Sequence, residues 1–186
     1  IFDYSSCAVA KPHVVGDFLL EGLWQEDDGP TGADWIITNP PFRLAEQFIA
    51  RMHAVSQVGC AVLVRTSFLE GQDRYHDLFS TAPPNFVLQF AERVIISKGR
   101  PRNPAIKYWD ATANGGEGAW KTPTSATSYS WLVWVHGARG TTLDWIAPCR
   151  RQLERPGDYA PLPQSERVPD YSDGGLISLS PGEVRI

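Results

Sequence analysis

The chain is short of sulfur, and what it has is not arranged for chemistry. Cys7, Cys60 and Cys149 are its three cysteines; they are odd in number and far apart, with no Cys-x-x-Cys and no paired His. That pattern excludes a disulfide framework and lacks the spacing of a zinc site, so no metal is expected. His13, His53, His76 and His136 stand singly and read as surface or satisfied half-buried side chains. No apolar run approaches the roughly 20 residues of a membrane-spanning helix, so no membrane partner is expected, and the opening residues hold no signal-like segment. Neither sign of charge dominates. With a net charge of −4, any nucleic-acid contact has to come from a local basic patch. No internal repeat is present.

What remains is an ordinary globular composition, with 42% hydrophobic and 20% charged residues over a length that can bury one core. Fifteen Pro and seven Trp point to irregular connections and a Trp-rich core or binding face. Asp34-Trp-Ile-Ile-Thr38 reads as a short buried strand. Asn39-Pro40-Pro41 must stop it, because proline cannot pair inside a sheet and restricts its predecessor. Leu44, Ala45, Phe48, Ile49 and Met52 then fall at helical spacing, with Arg43, Glu46, Gln47 and Arg51 between them. Cys60–Arg65 follows as a continuous apolar run of strand length. Strand, helix and strand at this spacing predict a βαβ unit with parallel pairing.

Beyond it the sequence predicts a short helix over 72–80, strands over 85–90 and 92–97, and a long loop over 98–127. A strong strand comes next at 130–135, followed by a turn at Gly137–Gly140 and a returning strand over 141–146. The expected fold is α/β, a Rossmann-like sheet that is mostly parallel with an antiparallel end. Residues 1–159 are expected to form the catalytic domain and 160–186 a flexible tail rich in Pro, Ser, Asp and Gly. In such sheets ligands bind at the carboxyl ends of the parallel strands, which is where Asn39-Pro40-Pro41-Phe42 falls.

The residue types there suit transfer to an amino nitrogen. An exocyclic amine on adenine is a poor nucleophile, because its lone pair is delocalised into the ring. Two acceptors at its two N–H bonds favour a tetrahedral nitrogen and aim the lone pair, by positioning and electrostatics alone. Asn39 can supply an amide oxygen, Pro40 a carbonyl held stiff by Pro41, and Phe42 an apolar face for an extruded planar base.

This group, with an apolar strand before it and an amphipathic helix after it, resembles motif IV of the class I S-adenosylmethionine (SAM) dependent amino-methyltransferases. Val15-Gly16-Asp17-Phe18-Leu19 resembles the family's motif III. The resemblance implies that Asp17 accepts from the cofactor's adenine amino group and that Phe18 packs on the ring. Ala61–Gly71 is similar to the strand and loop after motif IV, which puts Arg65 and Phe68 toward the substrate. Phe90-Ala-Glu-Arg-Val and Ser130-Trp-Leu-Val-Trp more loosely resemble later strands of phage- and prophage-type enzymes. The similarity spans about residues 1 to 155. It implies a cytoplasmic enzyme of a bacterial or phage-infected cell.

The cofactor half of the pattern is thin. No Gly-x-Gly precedes Asn39, and Asp3 is the only early acid near a possible strand end that could serve the SAM ribose. The glycines of Asp110–Gly118 read as a linker. The expectation is a chain whose first strand and Gly-rich loop lie upstream of Ile1. Lys98, Arg100, Arg102 and Lys107, beside Tyr108 and Trp109, suit phosphate contact and base stacking, so DNA is the expected partner; Arg150, Arg151 and Arg155 form a weaker cluster. N6-adenine methylation of DNA leads. Methylation of an RNA base or a protein glutamine, and a non-catalytic nucleic-acid-binding remnant, stay open.

Overall fold

The computed structural model describes residues 16–20, 33–96, 101–163 and 166. In chain order the elements are β1 (Ala33–Thr38), α1 (Ala45–Val55), β2 (Ser56–Arg65) and α2 (Gln72–Arg74), which runs on as a π-helical turn, Tyr75–Phe79. Then come β3 (Phe86–Phe90), β4 (Tyr108–Asp110), β5 (Ala119–Lys121), β6 (Tyr129–Val135), β7 (Thr142–Ile146) and α3 (Arg150–Leu153). The contacts group the described residues of Ile1–Val94 with Ser125–Leu153 into one compact unit, and those of Ile95–Thr124 with Glu154–Ile186 into another.

The first unit is a mixed α/β sheet in the order β1-β2-β6-β3-β7. β1 and β2 pair in parallel around α1, as the βαβ pattern requires. β2 is the spine: Gly59 through Val64 are all buried, so its sequence is a continuous apolar run rather than an alternating one. α1 packs Ala45, Ile49 and Met52 against Cys60, Val62, Val64, Leu132 and Trp134. Each such large side chain removed from water contributes roughly 1.5–3 kcal/mol. Gly59 is required by close approach, since a Cβ there would lie 2.9 Å from the Trp35 ring and collide with the Trp134 carbonyl oxygen. Burial pushes the Cys60 thiol up to about 11, so it is inert at neutral pH.

The one reversed strand, β6, lies inside the sheet between β2 and β3, antiparallel to both, and not at an end. β7 does not fold back on β6 as a hairpin. It crosses to the far side of β3 and pairs with it in parallel. Asn85, buried just before β3, fixes this crossing. Its side-chain oxygen accepts from Val135 N–H at 2.7 Å and its amide donates to the Gly140 carbonyl at 3.2 Å. Its backbone N–H donates to Val133 O and its carbonyl accepts from Thr142 N–H, both at 2.8 Å. A short-range turn signal at Gly137–Gly140 does not say which side of β3 the returning strand takes; Asn85 does.

Residues 92–97 do not form the expected strand. Ala91 and Glu92 make a bend and Arg93–Ile96 lack regular structure, while residue 97 lies outside the described residues. The expected long loop over 98–127 contains β4 and β5, an antiparallel hairpin in the second unit. Its turn is the Gly-rich stretch read as a linker, with Asn114, Gly115, Gly116 and Gly118 at positive φ. Gly118 lets the Trp109 ring lie against it beside Trp120. This turn joins antiparallel strands, so it is not the strand-to-helix loop that cradles a nucleotide. Of the expected tail, Ala160–Pro163 and Glu166 are described, and 167–186 lie outside the described residues. No helix among the described residues is long and apolar enough to cross a membrane.

At the amino end of β2, two histidines that looked solitary meet. The rings of His53 and His136 are 5.6 Å apart, and His53 stands edge-on to Trp134. His136 Nε2 shares a hydrogen bond with the Ser56 hydroxyl at 2.9 Å. Burial, with the charge of His136 second, holds the His53 imidazole below its ordinary 6.5.

Two outcomes follow. Asn85→Ala orphans the Val135 N–H and frees β7, and urea denaturation is expected to show a loss of about 1–3 kcal/mol; a loss below a few tenths contradicts this role. Because the His53 pKa is lowered in the folded chain, the unfolded chain takes up the proton first. The stability from neutral His53 is complete above about pH 6.5 and is lost as the pH falls below it. Thermal melts from about pH 7.5 to about pH 5 are expected to show a declining Tm whose decline is smaller in His53→Gln. An equal decline in that variant overturns the assignment.

Candidate functional site

β1 and β2 deliver their carboxyl ends side by side, with Thr38 opposite Val62. Asn39 follows directly and is exposed, Pro40 is buried, and Pro41 is half-buried. Pro41 takes an extended conformation (φ −55°, ψ 123°). Its carbonyl accepts from Leu44 N–H at 2.8 Å, which turns the chain through a 3-10 turn, Phe42–Leu44, into α1. Both prolyl bonds are trans. Neither the Asn39 side-chain amide nor the Pro40 carbonyl hydrogen-bonds to a described residue. Among the described residues, these two consecutive acceptors have no partner where the sheet ends.

Phe42 turns toward the end of β2. The Arg65 guanidinium lies over its ring at 4.9 Å, and Tyr129, the buried partner of Arg65 across β2 and β6, is 6.0 Å away and tilted by 33°. Phe42, Ala45, Val64, Arg65, Ser67, Phe68 and Arg74 line a cavity of about 140 Å³. It has room for one planar group, and among the described residues no acidic side chain lines it. Arg65 and Phe68, both expected toward the substrate, line this cavity together with Phe42.

Arg74, Ser67 and Tyr129 were not singled out from sequence. Arg74 holds the Phe68 wall: its guanidinium stacks on the Phe68 ring at 4.1 Å, donates to Phe68 O at 2.8 Å and pairs with Glu46 at 2.8 Å. The Glu46 pair is exposed and adds little by itself; the carbonyl bond and the stacking fix the loop. Thr66, which opens that loop, joins a half-buried cluster. The Thr66, Ser130 and Gln89 side chains make three mutual contacts of 2.8–3.0 Å, served by two hydroxyl protons. Gln89 donates onward to Tyr129 O and Phe90 O. The cluster ties the ends of β2, β6 and β3 together behind the cavity.

The other expected residues divide. Asp17 is exposed, and its carboxylate accepts from Leu19 N–H at 3.0 Å, closing its own turn. The Phe18 ring lies 5.1 Å from Phe48 and packs on the core beside α1, so part of its surface is already used by protein. Asp3, Lys98 and Arg100 lie outside the described residues. Arg102 belongs to the second unit. There it is paired with Glu166 at 2.7 Å and stacked on Tyr108 at 3.8 Å, which leaves little of its charge for a phosphate. In the same unit the Lys121 ammonium, helped by Thr112, holds the Asp110 carboxyl down at about 2.

No protein-family model, no curated protein and no solved structure matches the chain.

Arg74→Ala is expected to loosen the Phe68 wall without unfolding the sheet. Amide hydrogen exchange over 66–71 should quicken at least about tenfold while the β2 interior keeps its protection. Unchanged exchange in the loop contradicts the buttressing role.

Proposed function

We propose that the chain carries the target-amine half of a SAM-dependent N-methyltransferase whose preferred substrate is N6 of adenine in DNA. The observation behind this reading is the setting of Asn39-Pro40-Pro41-Phe42. The group follows the carboxyl end of a parallel strand, no described residue engages the Asn39 amide or the Pro40 carbonyl, and Phe42 lines a small cavity with Val64, Phe68 and two arginines. An amine whose two N–H bonds meet the Asn39 amide oxygen and the Pro40 carbonyl has its lone pair freed from the ring and directed away from both acceptors. Phe42 supplies a face for the base, and Phe68 supplies apolar walling that excludes water. SAM contributes an electrophilic methyl group as co-substrate.

The described residues fit SAM only in part. Asp17 offers an exposed carboxylate with one oxygen already used, Phe18 is turned onto α1, and no Gly-x-Gly precedes Asn39. The cofactor reading therefore rests on the motif resemblance, with Asp17 and Phe18 as its carriers here and Asp3 as the candidate for the ribose. RNA-base and glutamine methylation use the same acceptor pair, so substrates have to be compared directly.

The test is methyl transfer from labelled SAM to DNA, RNA and a glutamine-containing protein by the protein that carries this chain. DNA adenine is expected to be labelled, and Asn39→Ala is expected to cut the rate by roughly 10²-fold or more, the scale of removing one transition-state hydrogen-bond partner. Undiminished activity in Asn39→Ala removes the mechanism. Labelling of protein alone, or of no acceptor, removes the substrate assignment.

A further inference from the structure

The cavity beside Phe42 has two arginines at its rim, and they differ in one respect. Arg74 is neutralised by Glu46 and committed to the Phe68 loop. Arg65 is exposed, makes no ion pair and no side-chain hydrogen bond with a described residue, and is held in place only by lying over Phe42. It ends β2, one strand over from Asn39. A volume of about 140 Å³ takes one planar heterocycle but not the sugar and phosphate attached to it. Those have to stay outside, at the rim. A guanidinium is flat, always charged and matched to two phosphate oxygens at once, and here it lies over the aromatic ring that would also face the base.

Building on the reading of Asn39-Pro40-Pro41-Phe42 as the amine site, we propose that Arg65 is a positioning residue that binds the backbone phosphate adjoining the target nucleotide. It thereby makes the site selective for a nucleic-acid strand over a glutamine side chain. A glutamine amide fits the same acceptors but brings no anion to the rim. The unneutralised cation is then the feature that separates the two substrates, and it does so from outside the cavity, without touching the amine.

The experiment is a binding measurement on residues 1–186 without SAM, so a failure of the methyl-transfer reading does not decide it. Fluorescence anisotropy with labelled oligo-deoxyadenylate, oligo-riboadenylate and a glutamine-containing peptide is followed against salt concentration. Arg65→Ala is expected to weaken binding of the oligonucleotides about tenfold and to reduce the slope of log K against log salt by about 0.7, the value for one single-strand phosphate. Arg65→Lys should restore most of the slope. A structural defect shifts affinity but not this slope, and the side chain is exposed, so folding is not at risk. The deoxy and ribo arms share the phosphate, so the same slope change is expected on whichever strand binds. An unchanged slope in Arg65→Ala, or a peptide that binds as tightly as the oligonucleotides and loses as much on substitution, overturns the proposal.

Discussion

The two prolines after β1 are the constraint on which the site depends. Neither can donate to a sheet ladder, so a strand that is parallel to β2 up to Thr38 has to end there. Pro41 then presets the backbone for the turn into α1. A chain stopped this way leaves the Asn39 amide and the Pro40 carbonyl outside the hydrogen-bonded sheet, at the end where α/β proteins bind their ligands. Phe42 inherits its position from the same stop: it opens the 3-10 turn and leans toward the end of β2. The short rigid segment leaves the Asn39 side chain exposed at that end.

The rest of the first unit makes that stop stable. β2 is buried along its middle, α1 covers it, and β6 returns through the sheet interior to place Tyr129 and Ser130 behind the cavity. The Thr66, Ser130 and Gln89 cluster joins three strands at the end that carries Asn39. The His53 and His136 pair sits at the opposite end of β2. One polar cluster thus fixes the end of the sheet that carries Asn39, and the histidine pair the other. Of the expected basic residues, Arg65 lines the cavity with no ion pair among the described residues, whereas Arg102 is tied to Glu166 and Tyr108 within the second unit.

What was legible in the sequence was local. The stretch from Asp34 to Arg65 showed its strand, its stop, its helix and its second strand because period and breaker residues lie within one βαβ unit; Arg65 and Phe68 were named only from the motif resemblance. What was illegible depends on partners far away in the chain. The side of β3 taken by β7 is set by Asn85 with Val135 and Gly140, and a glycine turn looks the same for a hairpin and for a crossing. Arg74 carries no motif, and its role appears only once Glu46 and the Phe68 carbonyl are beside it. β4 and β5, each three residues long around a glycine turn, are too short to give a periodic signal. The strand expected over 92–97 is apolar enough in sequence, but Glu92 is bonded to Arg150 and the chain leaves the sheet.

The central claim is that Asn39 and Phe42 receive the base. The most direct measurement is a nitrogen-15 NMR titration of residues 1–186 with oligo-deoxyadenylate, following the Asn39 side-chain amide together with the amides of Phe42 and Phe68. The account predicts that these resonances shift most and saturate together, while His53 and His136 at the other end of β2 stay still. Shifts confined to Tyr108, Trp109 and Trp120, with the Asn39 amide unmoved, would contradict it.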